Sequence, residues 1–129
     1  MKWEISCDAL NSTAWKLFNQ GDFVNALRVW QSVHKLFPQE PDAYRGAALA
    51  FKKLGEFESA HITLSEGIER HPNNRHLLAD HAWLAHDNKN WNEAIERWEA
   101  YYKQFPDDFA GFLCASVALR ELRRYEEAE

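Results

Sequence analysis

The sequence contains only two cysteines, and it has no long apolar run. Cys7 and Cys114 lie far outside the spacing of a CxxC motif, so a zinc site or a disulfide is not expected. Nowhere do about 18 apolar residues follow one another, and the opening MKWEISCDAL has no apolar run of signal-peptide length. We therefore expect a cytoplasmic chain without membrane insertion.

Basic stripes and catalytic motifs are also missing. The net charge is -5 at pH 7 and both signs are spread along the chain, which argues against a nucleic-acid partner. The sequence has no glycine-rich phosphate loop, no Gly-x-Ser-x-Gly motif and no His-Glu-x-x-His motif. We expect no catalytic activity and no cofactor.

Four histidines recur every five residues: His71, His76, His81 and His86. On a helix each step of five residues turns by about 140°, so the four side chains cannot converge on one ion. His76 and Asp80 are four residues apart, which leaves open a site of two or three ligands. We favour the alternative without a metal, in which His81 is buried and hydrogen-bonded and the others lie at the surface.

An internal repeat of 34 residues dominates the sequence. The stretch QGDFVNALRVWQSVHKLFP at 20–38 recurs as LGEFESAHITLSEGIERHP at 54–72 and as NKNWNEAIERWEAYYKQFP at 88–106. Each repeat has two apolar stretches with a helical period, separated by a short break and closed by a proline, which predicts a helical hairpin. The breaks contain Gly21, Gly55 and Lys89, each followed by a residue that we expect to cap the next helix.

Small residues recur at two positions of the repeat, where two helices are expected to cross closely. They are Ala14, Ala48, Ala82 and Ser116 at the first position, and Ala26, Ala60, Ala94 and Ala128 at the second. Large apolar residues occupy the neighbouring positions, among them Trp30 and Trp98. This pattern predicts a core that runs from repeat to repeat.

These features resemble the tetratricopeptide repeat. The resemblance implies an all-α fold, a right-handed superhelical solenoid of antiparallel helix pairs that forms a single domain over residues 1–129. Its repeats would be 7–40, 41–74 and 75–108, with a partial repeat at 109–129. Lys89 and Arg123 depart from the pattern, since they replace the glycine of the turn.

The resemblance also places a set of residues on the concave face, where the family binds its partners. Here they include Asn11, Trp15, Phe18, Arg45, Leu49, Lys52, Trp83, His86 and Arg120. Some members of the family hold a peptide's C-terminal carboxylate through Lys, Asn and Arg. The corresponding places here carry Asn11, Trp15, Gly46, His76 and Asp80, so that clamp is absent. Two alternatives remain open: Trp15 packs under Trp3 and Ile5, and Trp83 fills a gap beside small residues.

We therefore expect an interaction scaffold that binds a protein or peptide, a helix or another copy of itself. In the alternative, the chain is the N-terminal recognition segment of a larger bacterial enzyme such as a glycosyltransferase or a methyltransferase. That alternative rests on the stretch FPDDFAGFLCASVALRELRRYEEAE, which resembles repeat segments that precede such domains.

The last residues, RRYEEAE, predict the start of a second helix in the fourth repeat. The first helix of that repeat would then lack most of its partner. Its apolar residues are Phe112, Leu113, Leu119 and Leu122. We expect either that the chain is a fragment of a longer protein or that these residues form a homodimer.

Overall fold

The computed structural model describes residues 6–128, which form seven α-helices and no strand. The helices are α1 (Cys7–Asn19), α2 (Phe23–Leu36), α3 (Pro41–Lys53), α4 (Phe57–Arg70), α5 (Arg75–Asp87), α6 (Trp91–Gln104) and α7 (Phe109–Ala128). They fall into two compact units, unit 1 over Met1–His71 and unit 2 over Pro72–Glu129. The predicted all-α fold is confirmed, and the interpretation of residues 1–129 as one domain stays a prediction.

Helices α1 to α6 begin and end at the residues that the repeat predicts. Asn74 accepts a hydrogen bond from the Leu77 amide at the start of α5, and Pro41 lies in the first turn of α3. Gly21 and Gly55 adopt φ values of 85° and 79°, which end α1 and α3 in the left-handed region. The expected cap at Glu56 is wrong, because this side chain makes no capping hydrogen bond.

The core of unit 1 is built around Trp30, which is fully buried. Ala14, Ala26, Ala47 and Ala50 surround the indole, and their small size lets α1, α2 and α3 approach it closely. Gly46 is required for the same reason, since a Cβ atom there would lie 2.1 Å from Cε2 of Trp30.

The core of unit 2 is built around Trp98, two repeats after Trp30. Polar contacts also tie the helices of this unit together. Nη1 of Arg97 on α6 donates a hydrogen bond of 2.7 Å to the backbone oxygen of His81 on α5. The Tyr101 hydroxyl on α6 donates to Asp108, the residue before α7.

Helix α7 differs from the sequence prediction, because it continues without a break through Ala128. The expected second helix from Tyr125 is therefore wrong. Arg123 occupies the place of the turn glycine, and the residues around it, ALRELRRYEEA, are strong helix formers, so nothing ends the helix there. Ser116 and Ala128 are exposed rather than part of the core, in which α7 buries Gly111 and Ala118.

Candidate functional site

The inner-face residues are the nine that the resemblance placed on the concave face, and each unit carries its own set. In unit 1, Asn11 on α1 is buried. Its Nδ2 donates to Sγ of Cys7 over 3.6 Å, and its Oδ1 has no hydrogen-bond partner among the described residues. Asn11 is thus enclosed rather than presented to a ligand.

Trp15 and Phe18 belong to a cluster of aromatic rings in unit 1. The ring centroids of Trp15 and Trp30 are 4.7 Å apart, those of Trp15 and Phe18 5.5 Å, and those of Phe18 and Phe23 5.0 Å. All three pairs meet edge to face, the arrangement that aromatic pairs favour. The core therefore fixes both inner-face rings. The alternative that Trp15 packs under Trp3 and Ile5 involves residues outside those described.

The same cluster occurs in unit 2, two repeats later. The ring centroids of Trp83 and Trp98 are 5.2 Å apart, those of Trp83 and His86 5.3 Å, and those of His86 and Trp91 4.9 Å. Here, however, the Trp83 side chain is 41% exposed. His86 replaces Phe18 in the cluster, and its Nδ1 is buried without a hydrogen-bond partner among the residues described.

Trp91 and Trp98 support Trp83 and His86, and the choice of inner-face residues from the sequence missed this role. A signal for it exists in the sequence: Trp15, Phe18, Phe23 and Trp30 match Trp83, His86, Trp91 and Trp98 at a spacing of two repeats. The repeat between them carries Leu49 and Lys52 in place of the first two rings. The aromatic cluster is thus a feature of the first and third repeats.

Arg45, Leu49 and Lys52 lie along one side of α3 in unit 1. Their spacing of four and then three residues places them on one stripe of the helix, and all three are partly buried. Arg45 and Lys52 take part in further contacts in the structure. This stripe gives unit 1 two positive charges, one on each side of an apolar residue. In unit 2, Arg120 on α7 is exposed.

The structure gives a physical reason for the absence of the carboxylate clamp on α3. The place of one clamp residue is Gly46, and the Trp30 ring already occupies the space that a side chain would need there. Any side chain at this position would have to displace a fully buried indole.

Helix α7 exposes apolar side chains on two different sides. Phe112 and Leu119 line a groove of about 310 Å³ between α6 and α7. Leu113, which is 59% exposed, does not line this groove, and Leu122 is partly buried. The four residues do not form one patch, and self-association through them stays a prediction.

Two features are absent from residues 6–128. No three His, Cys, Asp or Glu side chains in this range are grouped so as to hold a metal ion. No helix in it combines the length and the apolar character needed to cross a membrane.

Solved structures with similar folds include the first TPR of Spaghetti (RPAP3) bound to the HSP90 peptide SRMEEVD, with 16% identity and a TM-score of 0.78 over 91% of this chain and 93% of that one. The TPR2B domain of yeast Sti1 in a complex with pHsp70 has 20% identity and a TM-score of 0.78 over 89% and 97%. PcrH from Pseudomonas aeruginosa has 16% identity and a TM-score of 0.74 over 96% and 94%.

Comparison with curated proteins finds no significant match. Two family profiles described as tetratricopeptide repeat do match, one over residues 17–84 and the other over residues 79–129. The first alone covers more than half of the sequence, and together they include parts of all seven helices. The chain belongs to the tetratricopeptide repeat family.

Proposed function

We propose that the chain is a protein-interaction module that binds a peptide or a helix through its inner-face residues, with Trp83 as the main anchor. The observation that carries this proposal is the exposure of Trp83, 41%, combined with its fixed position against Trp98 and His86. An exposed aromatic ring that is already ordered contributes contact area at little cost in conformational entropy.

In unit 1 the proposed contacts are different in kind. Arg45 and Lys52 lie on either side of Leu49 on α3, an arrangement that suits an acidic segment with an apolar side chain. Trp15 and Phe18 on α1 are partly buried rings of the same unit. A free C-terminal carboxylate is not needed for binding, because the positions of the clamp carry other residues.

The comparisons support the class of function and leave the ligand open. Tetratricopeptide repeats are in general interaction modules, and two of the similar structures contain a bound peptide or a pHsp70 partner. At sequence identities of 16% and 20%, these structures show a similar fold and say nothing of a shared ligand. A cytoplasmic location, the lack of catalysis and the alternative of a recognition segment in a larger enzyme stay predictions.

A pull-down with the 129-residue chain, followed by titration of the captured protein, tests the proposal. Trp83→Ala should weaken binding about thirtyfold, the loss typical of a central aromatic anchor. The matched control is Tyr125→Ala, since Tyr125 is an exposed aromatic residue on α7 outside the inner-face set. The assignment to the inner face is wrong if Trp83→Ala leaves the affinity within about twofold while Tyr125→Ala lowers it.

A further inference from the structure

His86 lies between two tryptophan rings in unit 2. The centroid of its imidazole is 5.3 Å from that of Trp83 and 4.9 Å from that of Trp91, at interplanar angles of 72° and 81°. On its other side Trp83 meets the buried Trp98 at 5.2 Å. The exposed indole of Trp83 is therefore held by two edge-to-face contacts, one with a core ring and one with a histidine.

Unit 1 builds the same cluster with a phenylalanine at this position. Phe18 precedes His86 by two repeats, and its ring centroid lies 5.5 Å from that of Trp15 and 5.0 Å from that of Phe23. These distances are close to those of His86, so an apolar ring is sufficient to hold an inner-face tryptophan in this geometry. What a histidine adds is a ring that can take up a proton between about pH 5 and pH 8.

The neutral form of His86 is the one that fits the cluster. Its Nδ1 is buried and has no hydrogen-bond partner among the described residues. Both nitrogens of a protonated imidazole are donors, and the indole N–H is also a donor, so the two tryptophans offer no acceptor nitrogen or oxygen. A buried donor without an acceptor is costly. Protonation should therefore move the His86 ring out of the cluster and toward water.

The charged groups around His86 do not compensate a proton on its Nδ1. Asp87 is the next residue on α5 and takes part in a further contact in the structure. Lys89 follows in the turn, and its backbone N donates to the His86 carbonyl oxygen over 3.0 Å. On α6, which packs on α5, Glu93 and Arg97 pair with each other over 3.2 Å, and Arg97 also donates to a backbone oxygen of α5. Among the residues described, none of these groups hydrogen-bonds the buried nitrogen.

We propose that His86 is a positioning residue for Trp83 and makes this anchor sensitive to pH. With a neutral imidazole, Trp83 is held against Trp98 and His86 in the geometry that a partner contacts. When His86 takes up a proton and leaves the cluster, Trp83 loses one of its two supporting rings. This inference rests on the proposed function, in which Trp83 is the main anchor.

The consequence for binding is a loss of affinity toward acid pH. Only the fraction of the chain in which His86 is neutral presents Trp83 in the binding geometry, and the apparent affinity falls with that fraction. We expect the affinity at about pH 5.5 to be about tenfold lower than at about pH 7.5.

The first test uses the free chain and needs no partner. The indole Nε1–H signal of Trp83 is assigned in a proton–nitrogen correlation spectrum by its loss in Trp83→Phe, and its position is followed from about pH 8 to about pH 5. The signal should titrate in the wild type and stay in place in His86→Phe, which carries the residue of unit 1. His76→Gln is the matched control and should leave the titration unchanged, since His76 is an exposed histidine on the same helix.

The second test measures binding with a defined probe. The probe is a fluorescein-labelled peptide without histidine, selected from a random library on the wild type at neutral pH and depleted on Trp83→Ala. Fluorescence anisotropy should show the tenfold loss toward acid pH in the wild type and in His76→Gln. His86→Phe should bind with less than about a twofold difference between the two pH values. His86→Ala, which removes the supporting ring, should bind weakly at both.

The outcomes separate this inference from the proposed function. A Trp83 signal that does not change with pH, or that titrates equally in His86→Phe, overturns this inference alone. An affinity that rises as the pH falls also overturns it, because the two indoles then hold the imidazolium through cation–π contacts instead of releasing it. A library without any peptide that requires Trp83 overturns the proposed function, and this inference with it.

Discussion

At the scale of the residue, the packing of unit 1 depends on the contact between Gly46 and Trp30. The indole lies so close to α3 that even a Cβ atom at position 46 would overlap with it, and the ring is fully buried and cannot move into solvent. This contact explains both the glycine in the middle of a helix and the absence of a clamp residue at that place.

Gly46→Ala should lower the free energy of unfolding by about 2 kcal/mol, the typical cost of overpacking a core. Equilibrium unfolding in urea followed by circular dichroism measures this loss. In a Trp30→Leu background, which makes room beside α3, the same change should cost less than about 1 kcal/mol. An equal cost in both backgrounds would show that the glycine is needed for a reason other than the indole.

A second prediction at this scale concerns Asp108 and pH. The hydrogen bond from Tyr101, with a further one from the Ala110 amide, lowers the pKa of the Asp108 carboxyl. A carboxyl whose pKa is lower in the folded state contributes stability above its unfolded value of about 4, and this contribution is lost as the pH falls through the folded pKa. Tyr101→Phe should therefore reduce the loss of stability between pH 6 and pH 3, as measured by urea unfolding.

The neighbouring Tyr102 is the control for this measurement, because Asp108 accepts its bond from Tyr101. Tyr102→Phe should leave the acid-side slope unchanged. On the alkaline side, burial and the bond to Asp108 raise the pKa of Tyr101 to about 12. The wild type should therefore lose stability as the pH rises from about 10 to about 12, and Tyr101→Phe should lose less.

At the scale of the element, the first helix of each complete repeat, α1, α3 or α5, ends in the same backbone conformation. The residue type at that position differs between the repeats. Gly21, Gly55 and Lys89 all adopt positive φ, although only the first two are glycines. Lys89 has a φ of 58°, which is costly for a residue with a side chain. Unit 2 therefore keeps the left-handed turn after α5, although lysine disfavours that backbone conformation.

Lys89→Gly should raise the free energy of unfolding by about 0.5 to 1 kcal/mol, because glycine adopts this conformation without strain. The matched control is Lys53→Gly, in which a lysine at the helical end of α3 is replaced. It should lower stability by up to about 1 kcal/mol, since glycine is a poor helix former. Thermal unfolding of the two variants beside the wild type distinguishes the two effects, and destabilisation by Lys89→Gly would contradict this account.

Helix α7 shows where prediction from the sequence failed at this scale. The spacing of the repeat placed a turn at Arg123 and a new helix from Tyr125, by analogy with Gly55 and Phe57. The residues around Arg123 favour a helix and none of them is a glycine, so α7 continues through the expected turn. The helix starts, by contrast, depend on local caps such as Asn74 and could be predicted from the sequence alone.

At the scale of the whole chain, the two units repeat one core. Trp30 and Trp98 are two repeats apart, 0% and 1% exposed, and each lies edge to face with an inner-face tryptophan. The sequence predicted both as core residues from the period. It did not predict that Trp83 is more exposed than Trp15, since that difference depends on the neighbours of each ring in space.

Trp30→Leu and Trp98→Leu should destabilise the chain by similar amounts, about 2 to 4 kcal/mol each, because both remove a buried ring from the same position. Trp83→Leu should cost less than about 1 kcal/mol, because that side chain is partly in solvent. Urea unfolding followed at the far-ultraviolet helix band compares the three variants without relying on tryptophan emission. A near-neutral Trp98→Leu would show that the second unit does not depend on the repeated core.

The contact between Gly46 and Trp30 also limits what can be grafted onto this scaffold. A designer who wished to install a carboxylate clamp would need a hydrogen-bonding side chain at position 46, and its Cβ atom alone would overlap with the indole. The graft would first need a smaller residue in place of Trp30, in the core behind α3. Other core residues would then have to fill the volume lost beneath Trp15 and Phe18. Ligand specificity and core composition are thus coupled in unit 1, and redesigning the specificity requires redesigning the core.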